Sequence, residues 1–126
     1  HLPACFEALD AHFDGPLMRE NAGIPDSPEA RLFCPGSVFE VSWILMRQTA
    51  DPARLLSAIE AAHQRGLDRE FGGYYYFLDL AVKPPMQLEW NMKLWWVHVE
   101  AVVAFAHAWQ RTGEARVPDG RFKTAA

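Results

Sequence analysis

With 126 residues, of which 50% are hydrophobic and 13% aromatic, the chain is long enough for one modest domain and too apolar to be disordered. The formal net charge of −4 and the lack of a Lys/Arg run argue against a nucleic-acid-binding surface. The most apolar stretch is interrupted by His98, Glu100 and His107, so no transmembrane segment is predicted. We expect one domain over residues 1–126 that binds neither nucleic acid nor a membrane.

The amino-terminal residues and the cysteines favour a cytoplasmic protein. The first ten residues lack a basic segment followed by an apolar one, so we expect no signal peptide. The first residue is not Met, so we expect a fragment or a processed piece of a longer chain. Cys5 and Cys34 are too few for a disulfide scaffold, and we expect both to be buried free thiols.

Two helices and a long loop are predicted in the first part of the chain. Apolar residues at helical spacing predict a helix over residues 2–13. Residues 20–36 contain three Pro and two Gly, which predicts a long irregular loop. The apolar residues of the next helix, residues 37–49, nearly encircle it, which is typical of a helix packed between neighbours. Ser37 and Glu40 have the spacing of a capping box, so Ser37 is predicted to cap this helix.

The third helix has clear end signals. Asp51 is predicted to be its N-cap, Pro52 its first residue and Gly66 its C-terminal stop.

The rest of the chain is predicted to form a hairpin and one long helix. The aromatic segment of residues 69–85 predicts a short strand or hairpin that ends at a pair of prolines. The fourth helix is predicted over residues 88–110 with Gly113 as its terminator, and residues 114–126 as a frayed tail. The fold class is therefore all-α, with antiparallel helical hairpins of an array or toroid and one short β-hairpin.

Residues 87–101 carry an unusual density of polar and aromatic side chains. On a helix, Glu89 and Lys93 form an i,i+4 pair, and Trp96 and Glu100 share the face of Lys93. Trp95 lies beside His98 at i,i+3.

Two interpretations of these residues are open. Each Trp can belong to the core and His98 can be a hydrogen-bonded buried imidazole. Taken together, however, aromatic faces beside Glu, His, Lys and Gln are what a sugar site requires, since Trp stacks on the C–H faces of sugars. We give the two interpretations equal weight on the residues alone.

The tyrosine segment is a weaker signal. Alternation along a strand would place Tyr74 and Tyr76 on one side and Tyr75 and Phe77 on the other. One side would pack in the core, and the other would line a cleft.

The other histidines, His12, His63 and His107, lack metal-ligand spacing. The chain has no HExxH, CxxC, phosphate-loop or nucleophile-elbow motif, so we expect no metal and no cofactor.

Three stretches resemble the N-acylglucosamine 2-epimerase family, also called renin-binding protein. They are CPGSVFEVSWILM, DREFGGYYYFLD and QLEWNMKLWWVHVEAVVAF, and the resemblance covers about residues 20–113. It implies an (α/α)6 toroid, of which this chain is a part. It also implies interconversion of N-acetylglucosamine and N-acetylmannosamine by removal and return of the C2 proton, for which the family uses two histidines.

The resemblance also implies a site and a defect in it. Ser37 stands where the family has one catalytic His, while Glu40 matches the family Glu. The second catalytic His lies in a carboxy-terminal region that this chain does not contain, so we expect impaired catalysis. The predicted catalytic positions are Ser37, Glu40 and His98, and the predicted substrate-binding residues are Lys93, Trp96, Glu100, Gln87 and Tyr76.

Alternatives remain open at this point. The chain is a sugar 2-epimerase or a piece of one, a non-catalytic relative that binds a sugar or a protein, or another (α/α)6 sugar isomerase such as a mannose isomerase or cellobiose 2-epimerase. The partner expected in the first case is a small amino sugar. An incomplete toroid also leaves helix faces uncovered. We expect that a homodimer or a protein partner covers them, that the chain is an excerpt of a longer polypeptide, or that it folds into a small open bundle of reduced stability.

Overall fold

The computed structural model describes residues 2–49 and 52–113, which are mainly helical. Its elements, in chain order, are α1 (Leu2–Asp10), β1 (Phe13–Asp14), β2 (Leu17–Met18), β3 (Leu32–Phe33), α2 (Pro35–Met46), α3 (Ala53–Gly66), β4 (Leu78–Asp79) and α4 (Trp95–Thr112). The prediction of a mainly helical fold is confirmed. The two small antiparallel sheets pair β1 with β2 and β3 with β4.

Helix α1 ends three residues earlier than predicted, because the chain turns back at once. Phe13 pairs with Met18 in a tight hairpin, and His12 and Arg19 close it: the Arg19 N–H donates to the His12 carbonyl at 2.9 Å. Cross-strand hydrogen bonds therefore replace the last turn of the predicted helix.

The start of α2 corrects the predicted capping box. Cys34, with extended backbone, is the N-cap and provides no side-chain cap, and Pro35 is the first helical residue. Ser37 is thus the third residue of the helix and Glu40 the sixth, so neither can cap it. Proline suits this first position because its ring fixes a helical φ and it has no N–H to leave unpaired.

Helix α2 lies between α3 and α4, as its all-round apolarity predicted. Val38, Phe39, Leu45 and Met46 are almost fully buried. The Phe39 ring meets Tyr74 edge to face, with ring centroids 5.1 Å apart. These side chains of α2 form part of the core, to which α3 and α4 also contribute.

Helix α3 begins at Ala53 with Pro52 as its N-cap, one position later than predicted, and Gly66 is its last residue. The predicted N-cap Asp51 lies outside the described residues.

The aromatic segment does not form a hairpin of its own. Its strand β4 pairs with β3, which lies in the predicted loop of residues 20–36: Leu32 faces Asp79 and Phe33 faces Leu78. Earlier in the segment, Tyr74 makes only an isolated bridge to Leu67. The prediction of a short strand in residues 69–85 is thus confirmed by β4, whereas the β1–β2 hairpin was not predicted.

Helix α4 begins at Trp95 rather than at residue 88, and it ends at Gly113, as predicted, in a left-handed C-cap. The carbonyl of Trp90 accepts hydrogen bonds from the N–H groups of Tyr76 and Phe77, at 3.0 and 3.1 Å. Both lone pairs of this carbonyl are used by residues outside the helix, and residues 88–91 form turns instead of the predicted first helical turns. The predicted helical Glu89–Lys93 pair is therefore wrong, and Lys93 does not share a helix face with Trp96 and Glu100.

The surface of α4 carries an exposed apolar row. Trp95, Val99, Val102 and Trp109 follow each other at helical spacing on this side, and Trp95 is 78% exposed. Trp95 is thus not a core residue, whereas Val97 on the opposite face is completely buried.

The cysteine prediction is half right. Cys5 and Cys34 are both free, and Cys34 is buried, but Cys5 is exposed.

Candidate functional site

The start of α2 and the first turn of α4 meet at Gly36. A methyl group placed on Gly36 would lie 2.5 Å from Cζ3 of the Trp96 indole, so the two elements can approach this closely only with glycine at this position. Trp96, a predicted site residue, therefore packs against Gly36, the residue that precedes Ser37 in α2.

Tyr76 adds a second aromatic ring beside Trp96. Its ring meets the Trp96 indole edge to face, with centroids 6.0 Å apart, and it also contacts Phe77 with centroids 4.0 Å apart. Adjacent residues of a regular strand point to opposite sides, so the predicted separation of Tyr76 from Phe77 is wrong. The segment is not a strand at this point, and both rings lie on one side.

Glu40 and Glu100 bring two carboxylates to the same region, one from α2 and one from α4. Partial burial raises the pKa of Glu40, and the negative charges of Glu100 and Glu20 raise it further. Glu100 accepts a hydrogen bond of 2.7 Å from the indole N–H of Trp43, which fixes one of its oxygens. The Trp43 ring in turn stacks on His107 at 5.5 Å with 10° between the planes.

Burial is the main reason why the pKa of the Tyr76 hydroxyl is raised, and the nearby acidic groups of Cys34, Glu89 and Glu20 raise it further. Burial likewise raises the pKa of the Cys34 thiol, while hydrogen bonds with Ser37 lower it. At neutral pH the phenol and the thiol are thus protonated and able to donate hydrogen bonds. Ser37 lies within hydrogen-bonding reach of the thiol.

We call these residues the α2–α4 site: Ser37, Glu40, Trp43, Tyr76, Trp96 and Glu100. It combines an indole face, two carboxylates and two hydroxyl groups, which is a chemistry suited to a polyhydroxylated ligand.

His98 lies on α4 near this site, and both of its ring nitrogens are used. Nδ1 lies 2.7 Å from the Leu94 carbonyl oxygen, and Nε2 accepts the backbone N–H of Tyr74 at 3.0 Å. Of the two interpretations of His98, this geometry fits the hydrogen-bonded imidazole. Its catalytic role stays a prediction.

Lys93 has partners outside the α2–α4 site. Its ammonium group donates to Asp68 at 2.8 Å and lies 3.5 Å from the centre of the Tyr75 ring. This ammonium group, with the backbone N–H groups of Phe71 and Glu70, holds the pKa of Asp68 well below its usual range. The structure thus gives Lys93 a place in an ion pair, and its substrate-binding role stays a prediction.

Gln87 lies in the turns before α4, with its side-chain oxygen buried and without a hydrogen-bond partner among the described residues. Its substrate-binding role also stays a prediction.

A separate groove of about 490 Å³ lies along β4 and the loop that follows it. Its lining contains none of the predicted site residues; it consists of Phe33, Arg65, Leu78, Asp79, Leu80, Val82, Lys83, Pro84, Pro85 and Trp90.

Within residues 2–49 and 52–113, no three His, Cys, Asp or Glu side chains are grouped closely enough to hold a metal ion. In the same ranges, no helix is long and apolar enough to cross a membrane.

Comparison with known proteins identifies the ancestry of this arrangement. The sequence model of the N-acylglucosamine 2-epimerase (GlcNAc 2-epimerase) family matches residues 11–125. The chain belongs to the N-acylglucosamine 2-epimerase family. The predicted resemblance over residues 20–113 lies inside the matched range.

Individual members of the N-acylglucosamine 2-epimerase family match the chain at moderate identity. Over 87 residues the chain is 38% identical to the N-acylglucosamine 2-epimerase of Mus musculus, 39% to that of Bos taurus and 37% to that of Homo sapiens. The matched segment covers 64% of this chain but only 21% of the mouse protein. The chain therefore spans about a fifth of the length of these relatives.

The sequence reasoning missed one residue of the α2–α4 site, Trp43, and two residues that act on the site from beside it, His107 and Glu20. Trp43 lies one helical turn after Glu40 and so shares its face, which is a signal that the helical spacing contained. Glu20 and His107 are distant in sequence, and only the packing of the loop and of α4 against α2 brings them close.

Proposed function

We propose that this chain carries part of the amino-sugar site of an N-acylglucosamine 2-epimerase and that it binds an N-acylhexosamine at the α2–α4 site. The observation that carries the proposal is the meeting of Trp96 with the start of α2 at Gly36 in a chain of this family. Trp96 supplies a face for the sugar ring. Glu40, Glu100 and Tyr76 supply groups for its hydroxyls.

The chemistry of the whole family enzyme follows from the acidity of one C–H bond. In the ring-opened sugar the C2 hydrogen lies next to the C1 carbonyl. A base that removes this proton leaves an enediolate, and a proton returned to the other face of C2 inverts the carbon. Two acid–base groups on opposite sides of the sugar are sufficient, and no cofactor is needed.

In this chain we propose that the proton transfer is impaired. A serine hydroxyl without an adjacent base does not remove a carbon-bound proton at neutral pH, and Ser37 occupies the position of one family His. We propose that Glu40, whose pKa is raised by burial and by the neighbouring negative charges, is a hydrogen-bonding partner of the sugar hydroxyls.

The second candidate function is sugar binding without catalysis, and Ser37 is the specific observation in its favour. The loss of the base at this position leaves the binding groups of the α2–α4 site in place. A native chain that binds the sugar and does not exchange its C2 proton would belong to this class.

We further propose that α2, α3 and α4 are part of an (α/α)6 toroid in a cytoplasmic protein. The packing of α2 between two helices and the family membership support this proposal. The exposed apolar row of α4, which includes Val99 and Val102, supports the expectation that a second copy or another protein covers a helix face.

Titration with N-acetyl-D-mannosamine, followed by NMR of the indole N–H groups, tests the proposed binding. We expect a saturable shift of the Trp96 resonance. Trp96→Leu should weaken binding about two- to tenfold through loss of ring stacking. Trp109→Leu, on the exposed row of the same helix, serves as the matched control and should leave the affinity unchanged. Equal affinities for the two variants would contradict the proposed site.

A further inference from the structure

We infer that His98 is a positioning residue: a neutral imidazole that fastens the segment of residues 68–76 to α4 and thereby sets Tyr76 against Trp96. The consequence for sugar affinity rests on the proposed function, whereas the hydrogen-bonding role of the ring does not.

The hydrogen bonds of His98 determine where its proton lies. The Tyr74 N–H can only donate, so Nε2 of the ring must present a lone pair to it at 3.0 Å. The Leu94 carbonyl can only accept, so Nδ1 must carry the hydrogen at 2.7 Å. Both bonds are satisfied together only by the neutral tautomer with hydrogen on Nδ1. A doubly protonated ring would direct an N–H at the N–H of Tyr74.

The backbone next to Tyr74 is shaped to admit this ring. Gly73 has a φ of +75°, and a methyl group placed on it would lie 2.7 Å from His98 Nε2. The imidazole therefore occupies the space in which any other residue at position 73 would carry its side chain.

A second contact holds the same segment. It is made by Lys93, which lies five residues before His98 in the sequence. Lys93 donates to Asp68 at 2.8 Å, and the Asp68 N–H donates to the Gly73 carbonyl at 2.8 Å, which closes the turn on itself. Residues 93 and 98 thus hold the two ends of one turn. The chain leaves this turn through Tyr74 and reaches Tyr76, whose ring meets Trp96.

These contacts argue against a direct part for His98 in proton transfer. The lone pair that a base would use already accepts the Tyr74 N–H, so the ring would have to release the backbone before it could accept a proton. The same two bonds are what a positioning residue requires.

The first test measures the tautomer in the native chain, labelled with ¹⁵N-histidine, by long-range ¹H–¹⁵N NMR at pH 7.5. We expect the His98 signals of the neutral ring with hydrogen on Nδ1 and an unprotonated Nε2. Hydrogen on Nε2, or a doubly protonated ring, would overturn the inference. This measurement needs neither a variant nor a sugar.

The second test compares His98→Gln with His98→Ala. A Gln side chain places an oxygen near the position of Nε2, so it can accept the Tyr74 N–H, whereas Ala cannot. We expect amide exchange of Tyr74 to accelerate at least tenfold in His98→Ala and to stay within about threefold of native in His98→Gln. The Trp96 indole resonance should shift in the Ala variant only. Val102→Ala, an exposed change on the same helix, is the control and should alter neither signal.

The sugar readout separates this inference from the proposed function. If His98 positions the site, N-acetyl-D-mannosamine affinity falls at least about fivefold in His98→Ala and is largely restored in His98→Gln. Unchanged affinity and an unchanged Trp96 resonance in His98→Ala would overturn the positioning role. If the native chain binds no sugar, the proposed function fails, and the tautomer, Tyr74 exchange and Trp96 resonance still decide the role of His98.

Discussion

Asp68 connects the turn after α3 to the segment that leads into α4. Its carboxylate accepts the N–H groups of Glu70 and Phe71, at 3.0 and 3.1 Å, and the Lys93 ammonium group at 2.8 Å. Its side chain is only 6% exposed. These bonds favour the charged form, so the pKa of Asp68 in the folded chain lies well below its ordinary value of 3.8.

Replacement of this carboxylate should change how stability depends on pH. With a folded pKa below the unfolded one, the contribution of Asp68 is complete above the unfolded value and declines as pH falls below about 4, because the unfolded chain takes up the proton first. Asp68→Asn should therefore be less stable than native at pH 7, and the difference should shrink towards pH 3. Urea unfolding at both pH values measures it.

The control for Asp68 is Asp14, which pairs with Arg19 at 2.8 Å with 70% of its side chain exposed. Asp14→Asn should change stability by at most about 0.5 kcal/mol at pH 7. A difference between Asp68→Asn and native that is equal at pH 7 and pH 3 would contradict the assigned ion pair.

Gly73 and its neighbour Gly72 offer a matched pair of glycines. Both have positive φ, +75° and +79°, but a methyl group on Gly72 would meet nothing within 4 Å, whereas one on Gly73 would meet His98. Gly72→Ala should cost about 1–2 kcal/mol for left-handed backbone alone. Gly73→Ala should cost about 1–3 kcal/mol more, because the imidazole must move and release the Tyr74 N–H.

Chemical denaturation of the two alanine variants, in native and His98→Ala backgrounds, checks this prediction. The excess cost of Gly73→Ala should vanish when the imidazole is absent. Equal costs of the two alanines in the native background would show that the ring does not occupy the space above Gly73.

At the residue scale the sequence named several members of the site but not their partners. Trp96, Glu100 and Tyr76 were predicted from residue type and family resemblance. That Lys93 pairs with Asp68 could not be predicted, because the helical spacing offered Glu89 as a nearer partner. Helical spacing has meaning only where a helix forms, and tertiary hydrogen bonds to the Trp90 carbonyl prevent one there.

At the scale of elements, α4 has two very different sides. Val97 is fully buried against the core, while Val102, five residues further along, is 70% exposed. The same Val→Ala substitution at both positions therefore shows which side of the helix packs against the core.

Val97→Ala should cost about 2–3 kcal/mol of unfolding free energy, through lost burial and an unfilled cavity. Val102→Ala should stay within about 0.5 kcal/mol of native, since an exposed Val buries little. Thermal or urea unfolding of both variants measures the two costs. Similar losses of unfolding free energy in the two variants would mean that α4 packs with a different face. The positions assigned to Trp96 and Glu100 would then also be wrong.

Element types were predictable where the local pattern agreed with the packing. The all-round apolarity of α2 predicted its position between two helices, and Gly113 predicted the end of α4. The β3–β4 pairing was not predictable, because its strands have two residues each and lie far apart in the sequence. The start of α2 was misplaced because Pro35 was counted among the prolines of the loop of residues 20–36 rather than as a first helical residue.

At the scale of the whole molecule, the chain belongs to the N-acylglucosamine 2-epimerase family but spans only a small part of the length of its relatives. The family match runs over residues 11–125, yet the matched segment covers 21% of the mouse relative. We propose that the α2–α4 site contacts only one part of the sugar. In the proposed arrangement the acid–base group for the opposite face of C2 comes from outside this chain.

This arrangement predicts that exchange of the C2 proton can be restored, whereas inversion at C2 cannot. In the proposed arrangement Ser37→His returns an imidazole to the position of the family base, and one base is enough to exchange the C2 proton with solvent. Inversion needs a second group on the other face. We therefore expect proton exchange with retention of configuration and little epimerisation.

The most direct measurement is loss of the C2–H signal of N-acetyl-D-mannosamine in heavy water, followed by ¹H NMR with the native chain and with Ser37→His. We expect no exchange above buffer for the native chain and exchange at least about a hundredfold faster for Ser37→His, the lower end of what a positioned general base contributes. Ser37→His that binds the sugar and leaves the C2 proton in place would contradict the assignment of Ser37 to the position of the lost base.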